Sequence, residues 1–259
     1  MTHVDVNGAR LWVEEEGAGA AVVLVHGGLG DSRLWEPIAR TLASRFRTVR
    51  YDLRFFGRSE SPGVEFSSNG DLVGVLDALE IERAALVGLS AGGGIALDAA
   101  LAHPQRVWAL AHVAAGISGM PVQLYTDEQE TAFEEAVERG DLDAAREVDF
   151  AVWAPLGADD ELRDMWLATP DARGLPEGAT PRQPEPAADR LEDVQVPTLV
   201  VVATHDPPAQ RELGSTAARR IPGARLVEVD SDHYLTLREA EQLGQLLLEF
   251  LGAAAPPPH

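Results

Sequence analysis

Ser90 is the residue whose surroundings are best arranged for chemistry. It stands in Gly88-Leu89-Ser90-Ala91-Gly92, between an apolar run, Ala84 to Val87, and a segment with helical apolar spacing, Ile95 to Leu101. A strand, a tight turn and a helix in succession are the context that a G-x-S-x-G nucleophile elbow requires. The flanking glycines fit because backbone packed that closely leaves no room for a Cβ. A serine at such a turn is lifted above the sheet edge, beside the N–H groups that open the helix, which can receive an oxyanion. The implied chemistry is attack of a hydroxyl on a carbonyl, and at neutral pH that needs a base to take the proton.

His233, in Asp230-Ser231-Asp232-His233-Tyr234, is a base of the right kind. Imidazole titrates near neutrality and can both accept and return a proton. A carboxylate must then hold the other ring nitrogen. Asp206, in Thr204-His205-Asp206-Pro207-Pro208, is preferred over Asp230 and Asp232, which lie on the histidine's own loop and would have difficulty reaching behind the ring.

Composition narrows the alternatives. The 259 residues contain no cysteine, which removes disulfides, thiolate metal sites and a cysteine nucleophile. The seven histidines form no H-x-H or H-E-x-x-H pair, so neither a metal nor a cofactor is expected. A formal net charge of -21 repels nucleic acid and anionic membranes, leaving a small molecule as the expected partner. The chain has no apolar run of roughly 18 residues and opens M-T-H-V-D-V-N-G without a signal pattern, so a cytoplasmic location is the expectation. A monomer or a homodimer is equally compatible.

The elements that must position these residues alternate. Residues 3–16 read as a β-hairpin around Asn7-Gly8, placed at a sheet edge. Ala21 to Val25 reads as a strand buried on both faces, ending at His26-Gly27-Gly28-Leu29-Gly30. Ser32 to Leu42 has helical spacing, Phe46 to Tyr51 is a strand leading into the loop Asp52 to Ser59, Leu72 to Leu79 is helical and Val107 to Val113 is another strand. Such alternation predicts a mostly parallel sheet with helices on both faces. Residues 117–190 break the pattern with three acidic helical segments, Asp127 to Arg139, Asp141 to Trp153 and Asp160 to Trp166, followed by a Pro/Gly-rich stretch expected to be irregular. The expected organisation is a core of residues 1–116 and 191–259 with 117–190 inserted as a helical cap over the strand ends. Cap residues Met120, Leu124, Phe133, Phe150, Trp153 and Trp166 suit either internal packing or a pocket wall. Val196 to Ala203, Ala209 to Arg220 and Arg225 to Val229 resume the alternation; Leu237 to Leu251 reads as an amphipathic terminal helix, and the tail Ala253 to His259 as frayed.

Ser90, Asp206 and His233 each follow a strand, so a parallel sheet puts all three on its carboxyl edge, where ligands bind. Their order, Ser then Asp then His, together with His26-Gly27-Gly28, Asp52 to Ser59 and the elbow, makes nearly the whole chain outside the cap resemble a serine esterase-like member of the α/β-hydrolase fold superfamily. The resemblance implies a triad of Ser90, His233 and Asp206, an oxyanion hole from the N–H groups of Gly28 and Ala91, and a supporting role for His26. It implies hydrolysis of carboxylic esters of small to medium, largely apolar substrates through an acyl-serine, with Leu29, Phe55, Leu124 and Trp153 as candidate pocket residues. Lactone hydrolysis, perhydrolysis, carbon-carbon bond hydrolysis and a slow-turnover receptor are the rival readings. One departure stands out: members of the family commonly carry glycine where this chain has Phe55, so the loop Asp52 to Ser59 is expected to be altered, with Phe55 or Phe56 reaching toward the mouth of the site.

Overall fold

The computed structural model describes residues 1–170 and 174–256. Its main sheet has eight strands: β1 (Thr2–Val6), β2 (Ala9–Glu16), β3 (Ala21–Val25), β4 (Arg47–Tyr51), β6 (Ala84–Leu89), β7 (Val107–Val113), β9 (Thr198–Ala203) and β10 (Arg225–Val229). They lie in the order β1-β2-β4-β3-β6-β7-β9-β10. The first two pairings are antiparallel and every other one is parallel. Asn7 and Gly8, at φ 47° and 79°, close the β1–β2 hairpin with the left-handed pair that such a two-residue loop demands.

Strands β3, β4, β6 and β9 are each followed by a helix that covers one face of the sheet: α1 (Glu36–Leu42), α2 (Ser68–Ala78), α3 (Ala91–Ala102) and α7 (Pro208–Arg220). Strand β3 shows why two faces are needed. Val22 and Leu24 join one apolar layer with Trp35, Ile38 and Leu247, while Val23 and Val25 join the other with Leu72 and Leu97. All five of its residues are buried, which accounts for its uninterrupted apolar run.

Helices α4 (Asp127–Glu138), α5 (Leu142–Trp153) and α6 (Asp160–Leu167) lie between β7 and β9. Their starts are set by side-chain caps: Thr126 and Gln129 form a capping box, and Asp141 and Asp159 accept from the N–H groups of Ala144 and Leu162. The segment is tied to the rest of the chain at several points. His233 N–H donates to the Trp153 carbonyl at 3.2 Å, Gly57 N–H to the Ala168 carbonyl at 3.1 Å, and Leu156 N–H to Asp232 Oδ2 at 3.2 Å.

Two local expectations need correction. The Pro/Gly-rich stretch contains β8 (Thr180–Pro181), which pairs in parallel with β5 (Glu65–Phe66) to make a second, two-stranded sheet. The terminal helix is interrupted: a single turn, Leu235–Arg238, is followed by α8 (Ala240–Ala254), and Glu239 at φ -112° and ψ 34° leaves the helical region between them. Ala253 and Ala254 therefore belong to the helix, and the last three residues of the supposed tail lie outside the described residues.

Candidate active site

Strand β3 lies between β4 and β6, so successive strands run away from it in opposite directions, and the loops that leave β3 and β6 face one another across the carboxyl edge of the sheet. Ser90 stands at that point. Its φ of 55° and ψ of -123° lie outside the ordinary regions for a residue with a side chain. The surrounding backbone holds it there. Ser90 N–H donates to Val113 at 2.9 Å, and its carbonyl accepts from Gly93, Gly94 and Gly116 at 3.0, 3.2 and 3.3 Å. The flanking glycines permit this closeness: a Cβ on Gly88 would lie 2.3 Å from the Gly92 carbonyl oxygen, and one on Gly92 2.3 Å from that of Val25.

The loop after β3 packs directly on the elbow. A Cβ on Gly27 would lie 2.9 Å from Ser90 Cβ and 3.5 Å from its Oγ. His26 fixes this loop. It is fully buried, its Nε2 accepts from Leu53 N–H at 2.9 Å, and Nδ1–H donates to the Gly27 carbonyl at 2.7 Å. Burial lowers its pKa, against the pull of Asp52, so it is a neutral bridge between two loops. Beyond Gly27, a Cβ on Gly28 would meet open space. The N–H groups of Gly28 and Ala91 find no acceptor among the described residues.

The loops after β9 and β10 are zipped together by Thr204 N–H to Val229 at 2.9 Å and His205 N–H to Ser231 at 3.0 Å. This brings Asp206 Oδ2 within 2.9 Å of His233 Nδ1, both side chains being buried. The proton on that bond belongs to Nδ1, which leaves the lone pair of neutral His233 on Nε2. Nε2 is buried without a partner, as is Asp206 Oδ1. Tyr234 joins this loop to the first: its hydroxyl donates to the Leu29 carbonyl at 3.3 Å, one residue from Gly28. Ser90 Oγ and His233 Nε2 form no hydrogen bond with one another among the described residues.

The rival acids are engaged elsewhere. Asp230 is exposed and accepts from His205 at 2.9 Å and Thr204 at 3.1 Å, the His205 bond chiefly holding its pKa below the usual range. Asp232 is fully buried but accepts from Arg238 Nε at 2.7 Å and from the N–H groups of Tyr234 and Leu156.

Of the four candidate pocket residues, Trp153 is the one seated against the histidine, its ring centroid 4.4 Å from that of His233 at an interplanar angle of 50°. Leu29 and Leu124 are half-buried against the apolar layer that contains Trp153 and Tyr234. Phe55 turns to Phe66 of β5, 5.2 Å away edge-on, and it is Phe56 that stacks edge-on over His26 at 5.1 Å. Phe55 has φ 72°, so the backbone adopts the left-handed form that glycine takes without strain, in spite of the side chain.

Sequence reasoning missed the polar chain behind Trp153. Its indole N–H donates to the Tyr125 hydroxyl at 2.6 Å, Tyr125 donates to Asp149 Oδ1 at 2.7 Å, and Trp166 N–H donates to Asp149 Oδ2 at 2.7 Å. Asp149 is buried, and these bonds fix the indole that faces His233. The sequence held one cue, an aspartate on the apolar face of a helix, four residues before the tryptophan that ends it. It also missed Gln210, whose buried amide donates to the Ala114 carbonyl at 2.6 Å and secures the backbone just after β7.

Residues 20–240 match the family model of the alpha/beta hydrolase fold, and the chain belongs to that family. Among curated proteins it is similar to an epoxide hydrolase of Caballeronia sordidicola, with 36% identity over 146 residues, 54% of this chain and 42% of that protein. It is also similar to the 2-hydroxymuconate semialdehyde hydrolase of Pseudomonas sp. (strain CF600), with 43% identity over 108 residues, 39% of this chain and 38% of that protein. The match thus spans less than half the length of either relative. Among solved structures, an esterase from Thermogutta terrifontis with malate bound superposes with a TM-score of 0.80 at 25% identity, covering 98% of this chain and 99% of that one. Among the described residues no helix is long and apolar enough to cross a membrane, and no cluster of three or more His, Cys, Asp or Glu is arranged to hold a metal ion.

Proposed function

We propose that this protein is a serine hydrolase that cleaves carboxylic esters of small to medium, largely apolar substrates through an acyl-serine intermediate. The observation that carries the reading is the buried Asp206–His233 hydrogen bond at 2.9 Å, which leaves His233 Nε2 unpartnered on the edge where the strained Ser90 stands. In this mechanism His233 Nε2 takes the Ser90 proton as Oγ attacks the ester carbonyl. Asp206 holds the tautomer and stabilises the imidazolium that forms. The oxyanion is received by the N–H groups of Gly28 and Ala91, which have no other acceptor to give up. The imidazolium then protonates the leaving alcohol, and water, deprotonated by the same Nε2, releases the acid from Ser90. Residues 117–190 act as a lid that contributes Leu124 and Trp153 to an apolar substrate pocket together with Leu29.

Support for ester chemistry comes from the triad-like arrangement and from the full-length likeness to an esterase. The test is a chain-length series of p-nitrophenyl esters with intact mass measured during turnover. An acyl adduct confined to Ser90 and absent from Ser90→Ala supports the reading; product release at the same rate from Ser90→Ala sinks it.

A further inference from the structure

A cavity of about 320 Å³ opens beside the elbow, with neither His233 nor Asp206 among its lining residues, and the reaction outlined above assigns it no part. Its walls include Ala91, Gly94 and Asp98 of α3, Gly116 and Ser118 of the loop after β7, and Arg182 beyond β8. It therefore begins one residue from Ser90. Asp98 follows Ala91 by about two helical turns, which places its Cα roughly 10 Å further along the helix axis.

Asp98 is the unusual member of this wall. It is 8% exposed, and its Oδ1 accepts from the Ser118 hydroxyl at 2.6 Å. Ser118 Oγ in turn accepts from Ala187 N–H at 2.9 Å. No other hydrogen bond and no cation engages the Asp98 carboxylate among the described residues. The guanidinium that shares the cavity, Arg182, is turned to Glu65, with Nε at 2.8 Å from Oε1. An asparagine would satisfy Ser118 equally well, so the hydrogen-bonded relay gives no reason for a charge at this position. Carboxylates this enclosed are usually paired, and an unpaired one lining a cavity beside a nucleophile is a functional group in waiting.

We propose that this cavity is a subsite for an ammonium group, so that the preferred substrate carries a protonated amine several bonds from its scissile carbonyl, held by Asp98. The specificity for esters rests on Ser90 acting as proposed above, whereas the binding of the ammonium does not. Burial raises the Asp98 pKa to about 6, outweighing the Ser118 hydrogen bond, so at pH 7.5 the cavity presents a carboxylate whose charge is incompletely solvated. A bound cation would relieve that cost through a charge-assisted hydrogen bond, while a substrate carboxylate would be repelled.

The test titrates n-butylammonium, with n-butanol as the neutral control, into the Ser90→Ala protein and follows binding by NMR at pH 7.5. Saturable binding of the ammonium, weakened about tenfold or more by Asp98→Asn with n-butanol unchanged, is the expected result. Absence of saturable ammonium binding, or equal affinity in both proteins, overturns the proposal. A second measurement needs no substitution at Asp98. The charged groups at the cavity are Asp98 and the Arg182–Glu65 pair, so lowering the pH from 7.5 to 5 should weaken ammonium binding by protonating Asp98; unchanged affinity counts against the subsite. With the Ser90 enzyme, kcat/KM for p-nitrophenyl 6-aminohexanoate relative to the hexanoate ester should drop about tenfold in Asp98→Asn. If neither ester is hydrolysed while Asp98-dependent binding persists, the ester reading falls and the subsite stands.

Discussion

His112 offers a test of the packing beneath the elbow that does not depend on any substrate. It lies on β7, fully enclosed, with Nε2–H donating to the Gly116 carbonyl at 3.0 Å, and Gly116 N–H donates in turn to the Ser90 carbonyl. Its Nδ1 has no partner, and burial lowers its pKa from 6.5 to about 4. In the unfolded chain it titrates at its ordinary value. Above about pH 6.5 neither state carries the proton and the stability it contributes is complete; as the pH falls the unfolded state binds a proton that the fold refuses, so that contribution is lost down to about pH 4. A gap of about 2.5 pH units corresponds to about 3 kcal/mol in all, of which about 2 kcal/mol is lost by pH 5. The perturbation is His112→Gln, whose amide can still donate to Gly116 but cannot ionise. Urea unfolding at pH 7.5, 6.5, 5.5 and 5 should show the parent losing about 2 kcal/mol more than the variant over that range. Asp98 acts with the opposite sign, its stabilisation being present below about pH 4 and lost as pH rises through about 6, but both proteins share it and it cancels in the difference. Parallel stability curves would refute the account of His112 as a buried neutral group.

Two further substitutions probe the site. Trp153→Leu removes the indole from the imidazole face, and loss of about 1–2 kcal/mol of cation–π stabilisation of the imidazolium lowers kcat/KM about five- to thirtyfold in ester hydrolysis. Trp153→Phe should retain most of the rate, and equal losses in the two variants would remove the ring's role in favour of the N–H bond to Tyr125. Gly92→Ala places a Cβ 2.3 and 2.4 Å from the carbonyl oxygens of Val25 and His26, so backbone must move. A cost of about 3 kcal/mol and a clear fall in Tm are expected by thermal unfolding, and an unchanged Tm would contradict the close packing of α3 on β3.

Much of this architecture is written in local sequence. Strands β3 and β6 are read from continuous apolar runs because burial on both faces leaves no polar position to interrupt them, and β7 follows the same pattern with His112 as its one polar residue. The helices between β7 and β9 are legible from Thr126, Asp141 and Asp159, whose side chains cap them. The preference for Asp206 over Asp230 and Asp232 rests on the reach of a short side chain; in the fold Asp206 accepts from His233, while Asp230 accepts from His205 and Asp232 from Arg238. What escaped is non-local. The β5–β8 pair joins Glu65 to Thr180 through a two-residue register that no periodicity can signal. The chain from Trp153 through Tyr125 to Asp149 and Trp166 depends on how α5 and α6 pack, not on spacing within either helix. Phe55 in place of glycine predicts an altered loop, whereas the backbone keeps a left-handed residue there and the ring finds Phe66. His112 stands alone in its strand, and only the fold places the Gly116 carbonyl and the elbow beside it.

The most direct test of the central claim follows p-nitrophenyl ester hydrolysis well beyond one equivalent of product in the parent protein, Ser90→Ala and Asp206→Asn. The account predicts sustained turnover in the parent, none above the uncatalysed rate in Ser90→Ala, and a drop in kcat of about 10⁴ in Asp206→Asn, where the tautomer of His233 is no longer enforced. Turnover that survives in Ser90→Ala, or that is indifferent to Asp206→Asn, would contradict it.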